Sequence, residues 1–348
     1  MLVSIVIPTY NGAHRIARTL QAIRAQTFKG NVEVIVVDDG SRDATAAVVG
    51  AFREVKLLSQ PNLGPAAARN NGARTATGDI LLFTDDDCVP QADWIERMLE
   101  AFQREAVVGA KGAYLTSQKE LVARFVQAEY EDKYAKMAKH RFIDFIDTYS
   151  AAFRRDVFLS YNGYDTSFPT ACAEDVELSY RMRRDGMLML FVPEAMVYHT
   201  HPSKLLAYIR KKHKFAYWRV YAIALNPHMI GGDSHTPQLM KVQMLLASTT
   251  VAAGMSSVVY PVALTVFLAA LAAFVATTLP FCARLERRDP TLAAAAPALL
   301  LARGLAQSVG VILGMSNVFF GIRRRRSNER QPRRRAASAS GMPKGHVP

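Results

Sequence analysis

Two aspartates one residue apart, Asp85 and Asp87, stand directly after the apolar run Ile80-Leu-Leu-Phe83. Carboxylates at this spacing, on a turn at the end of a strand, can hold a hard divalent cation such as Mg²⁺ or Mn²⁺, which keeps part of its water and bridges to phosphate oxygens. The same residues also make an ordinary solvated turn, since Asp is a common turn residue. Asp38-Asp39-Gly40-Ser41 follows another apolar run. It reads as a turn with a helix cap, or as a carboxylate accepting hydrogen bonds from a ribose or a base N–H, as acids after strands do in nucleotide-binding sheets. Glu174-Asp175 opens a helical segment. Acids there suit the helix dipole, and one of them can instead act as a general base toward a hydroxyl. His199 and His201 flank Thr200 after a further strand, and two histidines so close to an acid-rich sheet are candidate metal or phosphate contacts.

The elements that must position these residues alternate along the chain. Strands are expected at Val3–Pro8, Val32–Val37, Val55–Leu58 and Ile80–Phe83. Between them, Ile16, Leu20 and Ile23 keep a helical spacing, Asp43 can cap a helix to Phe52, and Ala66–Thr75 is a third helix. Such an order implies an α/β fold, a mostly parallel sheet flanked by helices on both faces. In such sheets ligands bind beyond the carboxyl ends of the strands, where all the polar clusters fall. Further on, strands are expected at Val107–Leu115, Met187–Val192 and Met196–Tyr198, and helices at Leu121–Ala138 and Glu174–Gly186.

Charge divides the chain. Residues 1–200 hold 23 Lys and Arg against 26 Asp and Glu, while residues 201–348 hold 20 against 4. The basic C-terminal part adjoins long apolar runs, which points to an anionic membrane surface rather than to specific nucleic acid. Lys204–Ala224 mixes five basic residues from Arg210 to Arg219 with aromatic and aliphatic ones, as a helix lying in a membrane interface does. Val242–Cys282 has no charged residue and is about twice as long as one crossing requires, so a two-helix hairpin broken near Pro261 is expected. The apolar stretch 291–322 contains Pro297 and Arg303, and the tail 323–348 carries two arginine runs among Ser, Pro and Gly.

These features divide the chain into a catalytic domain (1–201), a basic interfacial segment (202–241), a transmembrane hairpin (242–283), a third apolar helix (291–322) and a basic disordered tail (323–348). The basic segments favour the cytoplasmic side. An even number of crossings then leaves 291–322 interfacial or re-entrant, the alternative being a third crossing that puts the arginine-rich tail outside. The three cysteines, Cys88, Cys172 and Cys282, form no Cys-x-x-Cys pair and fit a reducing compartment. The expected location is therefore a multi-pass inner (plasma) membrane protein with a cytoplasmic catalytic domain.

Taken in order, the motifs at 3–11 (Val-Ser-Ile-Val-Ile-Pro-Thr-Tyr-Asn), 36–43 (Val-Val-Asp-Asp-Gly-Ser-x-Asp), 62–72 (Asn-x-Gly-x-Ala-Ala-Ala-Arg-Asn-x-Gly), 78–87 and 174–181 (Glu-Asp-Val-Glu-Leu-x-x-Arg) resemble family 2 glycosyltransferases of GT-A (Rossmann-like) fold. The resemblance covers roughly residues 1–201. It implies that Thr9, Asp39 and Arg69 lie against the nucleotide of a nucleoside-diphosphate-sugar donor, with Asp38 beside them. It also implies that Asp85 and Asp87 hold the donor diphosphate through Mg²⁺ or Mn²⁺, that Asp175 is the catalytic base of an inverting transfer, and that His199 is a further metal or phosphate contact. Processive relatives carry Gln-x-x-Arg-Trp after the catalytic Asp. Here the nearest segment is Lys214-Phe-Ala-Tyr-Trp-Arg219, which favours addition of one sugar at a time. Thr148–Arg155 departs from the Gly/Asn-rich acceptor segment of many members and leaves the acceptor open. The expected partners are thus the donor, the bilayer and a membrane-associated hydroxyl acceptor (lipid-linked, glycolipid or envelope polysaccharide). The rival is a non-catalytic nucleotide-sugar-binding scaffold of a polysaccharide assembly complex.

Overall fold

A computed structural model describes residues 1–103 and 106–321; the basic tail at 323–348 lies outside them. The chain runs β1 (Leu2–Thr9), α1 (Ile16–Arg24), β2 (Asn31–Asp38), α2 (Thr45–Gly50), β3 (Val55–Ser59), α3 (Pro65–Thr75), β4 (Ile80–Thr84), β5 (Cys88–Pro90) and α4 (Trp94–Glu100). It continues with β6 (Val107–Leu115), α5 (Leu121–Met137), β7 (Ser150–Arg154), α6 (Arg155–Ser160), α7 (Glu174–Arg184), β8 (Leu188–His199) and α8 (Leu205–Leu225). Three long helices close the described part: α9 (Gln238–Ser256), α10 (Val262–Glu286) and α11 (Pro290–Phe319).

The eight strands form one sheet in the order β3-β2-β1-β4-β7-β6-β8-β5. The first half is parallel, with β1 between β2 and β4 and with β3 outside β2. Its strands are nearly continuous apolar runs because both faces are covered. Gly72 lets α3 approach β1: a Cβ there would lie 2.4 Å from a methyl carbon of Val6.

The second half differs from a uniformly parallel sheet. The short strand β7 inserts antiparallel between β4 and β6, and β8 runs parallel to β6. Its sequence, Ser-Ala-Ala-Phe-Arg, carries neither alternation nor β-branched residues, so propensity does not announce it. The segments expected as two strands, 187–192 and 196–198, form the single strand β8, whose register against β6 slips between Lys111 and Ala113. The three-residue β5 pairs with the end of β8, setting Cys88 opposite His199.

The apolar stretch 242–283 resolves into α9 and α10, which pack antiparallel about a turn at 257–261. Gln243 reaches Thr277, and Gly254 lies against Phe267. Helices α10 and α11 are each long and apolar enough to cross a membrane. Along α10, Val262, Leu264, Val266 and Leu268 are exposed, whereas half of the apolar window of α11 is buried in the protein. Pro297 sits inside α11 without ending it.

A buried polar knot docks these helices onto the α/β domain. Glu129 of α5 accepts from Lys212 of α8 (2.9 Å), Arg303 of α11 (2.8 Å) and Tyr208 (3.0 Å). Arg303 also donates to Gln243 of α9. Two positive partners outweigh the burial of Glu129 and hold its carboxyl down at about 2. Glycines on α11 bring it tight against α8, and a Cβ on Gly310 would meet the His213 carbonyl oxygen at 2.4 Å. Gly310→Ala should therefore cost roughly 1–3 kcal/mol through forced separation of the two helices. Thermal unfolding of the detergent-solubilised chain measures this, with Gly50→Ala, whose Cβ meets open space, as the control.

Candidate functional site

Three consecutive aspartates follow β4 and take different directions. Asp86 is buried and accepts from Thr9 Oγ1 (2.5 Å) and from both Arg15 Nε (2.7 Å) and a terminal Arg15 nitrogen (3.0 Å). Its backbone carbonyl accepts from Thr19 (3.0 Å). Asp86 is therefore the pin that fixes the turn, and Thr9 acts on it. Asp85 and Asp87, on either side, line a common cleft.

Asp85 accepts from Arg69 at 2.6 Å, and the other end of the same guanidinium donates to Glu174 at 3.1 Å. Arg69 is 1% exposed and thus behind the cleft wall, joining α3, the β4 turn and the start of α7. Burial works against its charge, but Asp85 and Glu174 more than offset it and raise the guanidinium above its ordinary value. Asp87 lies 3.5 Å from His199 Nδ1, a neighbour delivered by the β5–β8 pairing. Burial alone would raise the Asp87 carboxyl. The hydrogen bond and charge of His199, aided by Arg15 and Lys211, hold it below its ordinary value.

The two acids at the start of α7 divide their roles. Glu174 is buried and takes Arg69 together with the backbone N–H groups of Cys172 (2.8 Å) and Ala173 (3.2 Å). Asp175 is bonded to the backbone N–H of Val176 (2.8 Å) and lines the cleft. Burial, reinforced by the charges of Glu174 and Asp147, pushes its carboxyl up to about 8. That elevation is what a proton acceptor working near neutrality needs.

The histidines also separate. His199 stacks on Tyr114 with ring centroids 4.5 Å apart and faces Asp87. His201 turns inward to Gln127 (3.0 Å), and burial, then the charge of His199, pulls its imidazole down to about 3. His201 is therefore a neutral structural residue.

Asp38 and Asp39 serve the loops above β2. Asp38 accepts from the N–H of Ser41 (2.9 Å). Asp39 accepts from Gln60 (2.7 Å) and from the N–H groups of Leu63 (2.9 Å) and Gly64 (2.8 Å), tying β2 to the start of α3. The cleft thus gathers Asp85, Asp87, Asp175 and His199 in its wall, while Thr9, Asp38, Asp39 and Arg69 lie outside that lining.

The sequence reading passed over a second buried pair. Lys111 of β6 is fully buried and donates to Asp147 and to Tyr149 Oη (2.9 Å), and Asp147 and Tyr149 both line the cleft near Asp175. A lysine in the middle of the apolar run Val107–Leu115 was the available signal, because an unpaired buried ammonium is too costly to keep.

The cleft has a volume of about 960 Å³. Helix α8 lines the same cleft, and its Lys211, which makes no ion pair among the described residues, is attracted by the charges of Asp87 and Asp85. Two carboxylates and an imidazole at one end of an open cleft suit Mg²⁺ or Mn²⁺ with phosphate oxygens completing the shell. Ligand atoms of Asp87, Cys88 and His199 lie within 4.8 Å of one another. Burial, then the charges of Asp85 and Asp87, raise the Cys88 thiol well above its ordinary value, so it stays protonated and leaves the oxygen and nitrogen ligands to the ion.

Residues 4–161 match the family described as Glycosyl transferase family 2. The chain is 29% identical over 219 residues to the pre-mycofactocin glycosyltransferase of Mycobacterium tuberculosis, covering 60% of this chain and 45% of that protein. It is 28% identical over 233 residues to an N-acetylglucosaminyltransferase of Mesorhizobium japonicum, covering 62% and 55%. The chain thus spans about half the length of these curated relatives. Among solved structures, the mannosyltransferase PcManGT from Pyrobaculum calidifontis, in complex with GDP-Man and Mn²⁺, shares the fold with a TM-score of 0.57 at 22% identity, covering 89% of this chain and 86% of that one.

Arg69→Met should strand the buried carboxylate of Glu174 and the partly exposed one of Asp85, and cost roughly 3–5 kcal/mol. Combining it with Glu174→Gln should restore part of the loss, because one of the stranded charges is gone. Denaturant unfolding of the two variants checks both expectations.

Proposed function

We propose that this chain, whose residues 4–161 match the family 2 glycosyltransferases, is an inverting, metal-dependent transferase. It moves a single sugar from a nucleoside-diphosphate-sugar to a hydroxyl of a membrane-associated acceptor. The observation that carries this reading is one cleft holding Asp85 and Asp87 together with Asp175, walled by α8, by α9 and by α11, a helix of membrane length.

Asp85, Asp87 and His199 would hold a divalent ion, which would supply charge neutralisation to the donor diphosphate. Lys211 adds a fixed positive charge on the same side and favours the departing nucleoside diphosphate. Asp175 accepts the proton of the acceptor hydroxyl as its oxygen attacks the anomeric carbon. The bond to the diphosphate oxygen breaks on the opposite face, and a single in-line displacement inverts the centre. Glu174 and Arg69 keep Asp175 placed without meeting substrate themselves. The domain works on the cytoplasmic face, with α9 and α10 entering the bilayer and α11, held along α8 and paired through Arg303 with Glu129, lying at the interface.

Asp175 must be ionised to act, and its folded-state value is raised. Transfer, read as kcat/KM, should therefore climb with pH and level off above about 8, falling roughly tenfold per unit below that. Asp175→Asn should lower turnover by at least about a hundredfold and abolish that limb, while donor binding persists. Equal losses of binding and turnover would refute the role of base.

EDTA, or Asp87→Ala, should instead abolish metal-dependent donor binding. The assay is release of nucleoside diphosphate from a panel of nucleotide-sugars by the detergent-solubilised chain with Mn²⁺ or with EDTA. Release from none of them, together with no calorimetric binding, would leave only a scaffold role.

A further inference from the structure

The cleft does not stop at Asp175. Past the acids it meets a basic waist, and past the waist it is walled by Val220 and Ile223 of α8, Met240 and Met244 of α9, and Val311 and Met315 of α11.

Asp147 acts on Asp175, and Lys133 feels the charges of Glu129, Arg303 and Asp147. Arg303 in turn touches Gln243, one residue before Met244. Lys133 therefore shares one cleft with the proton acceptor and with the apolar groove.

Three other cations near that waist are committed, and Lys211 is drawn to Asp87 and Asp85 at the other end of the cleft. Lys212 pairs with Glu129 (2.9 Å), Arg219 with Asp233, and Lys241 leans on the carbonyls of Ile230 and Gly231 (3.4 Å each). Lys133 makes no ion pair among the described residues, and its ammonium stands 5.0 Å from the Tyr130 ring. Burial, then the charge of Lys212, pushes that ammonium down to about 7. A half-buried lysine left without an anion in a substrate cleft is built to receive one.

Resting on the transfer reading above, we propose that the acceptor is a phosphate-bearing lipid. Its phosphate pairs with Lys133 and its apolar chain lies in the groove between α8, α9 and α11. Charge complementarity selects the phosphate. The groove selects the chain, since methionines adapt to a flexible apolar guest and a water-soluble sugar would have no use for such a wall. The same helices expose Val242, Leu245 and Met315, so the groove borders apolar surface from which a lipid chain can enter.

The test uses the full chain in a maltoside detergent and measures binding of radiolabelled farnesyl phosphate. Unlabelled farnesyl phosphate should compete at least about tenfold better than either farnesol or inorganic phosphate. Lys133→Gln should weaken binding about tenfold, Lys133→Arg should restore it, and Met244→Trp should weaken the lipid phosphate but not inorganic phosphate. Equal competition by inorganic phosphate would mean a free-phosphate site and overturn the proposal. So would wild-type binding by both Lys133→Gln and Met244→Trp. Mn²⁺-dependent release of nucleoside diphosphate, followed on the same wild-type preparation, separates the two readings. Release without lipid-phosphate binding overturns this inference alone, and its absence overturns the transfer reading beneath it.

Discussion

One buried guanidinium makes the concentration of acids at this site tolerable. Asp85, Asp87, Asp147, Glu174 and Asp175 all face or border one cleft, and at close range like charges raise one another's pKa and strain the fold. Arg69 answers two of them directly. With Asp85 and Glu174 matched, Asp87 leans on His199 and Asp147 on Lys111, and Asp175 is left as the carboxylate with the poorest compensation. Its basicity is thus a residue of how the other four are satisfied. A buried ion pair of this kind adds little net stability, but losing one partner is severe. Arg69 is accordingly a constraint on placement more than a source of cohesion.

The mixed half of the sheet supplies the rest of the geometry. Because β7 enters antiparallel between β4 and β6, the loop before it carries Asp147 and Tyr149 to the cleft. Because β5 pairs with the last residues of β8, His199 lands beside Asp87, 112 positions away in sequence. Beyond the sheet, the Glu129 knot ties α5, α8, α9 and α11 together. The basic helix and the apolar bundle therefore form a wall of the cleft instead of hanging from a free linker.

Much of this was legible beforehand. The strands β1 to β4, the helix at 121–137, the acids after each strand and the long apolar runs all carry local signals, either periodicity or uninterrupted hydrophobicity. The antiparallel β7 did not, since five small or mixed residues acquire strand character only from neighbours on both sides. Asp86 was invisible as a pin for a related reason. In sequence it is the middle of three identical residues, and only the contacts of Thr9 and Arg15 distinguish it. Thr9, Asp38 and Asp39 were expected against a nucleotide, and their observed partners are Asp86 and the loops above β2.

The sequence by itself determined the α/β class, the family resemblance and the places where acids cluster, because these depend on residue type and short-range spacing. Tertiary structure decided which acid of each cluster is free. That outcome depends on partners contributed from elsewhere in the chain: Arg69 for Glu174, Arg15 for Asp86, and the turn amides for Asp39. It also joined the acid-lined cleft to the groove among the C-terminal helices, a continuity created by packing across more than a hundred residues, which no local pattern records.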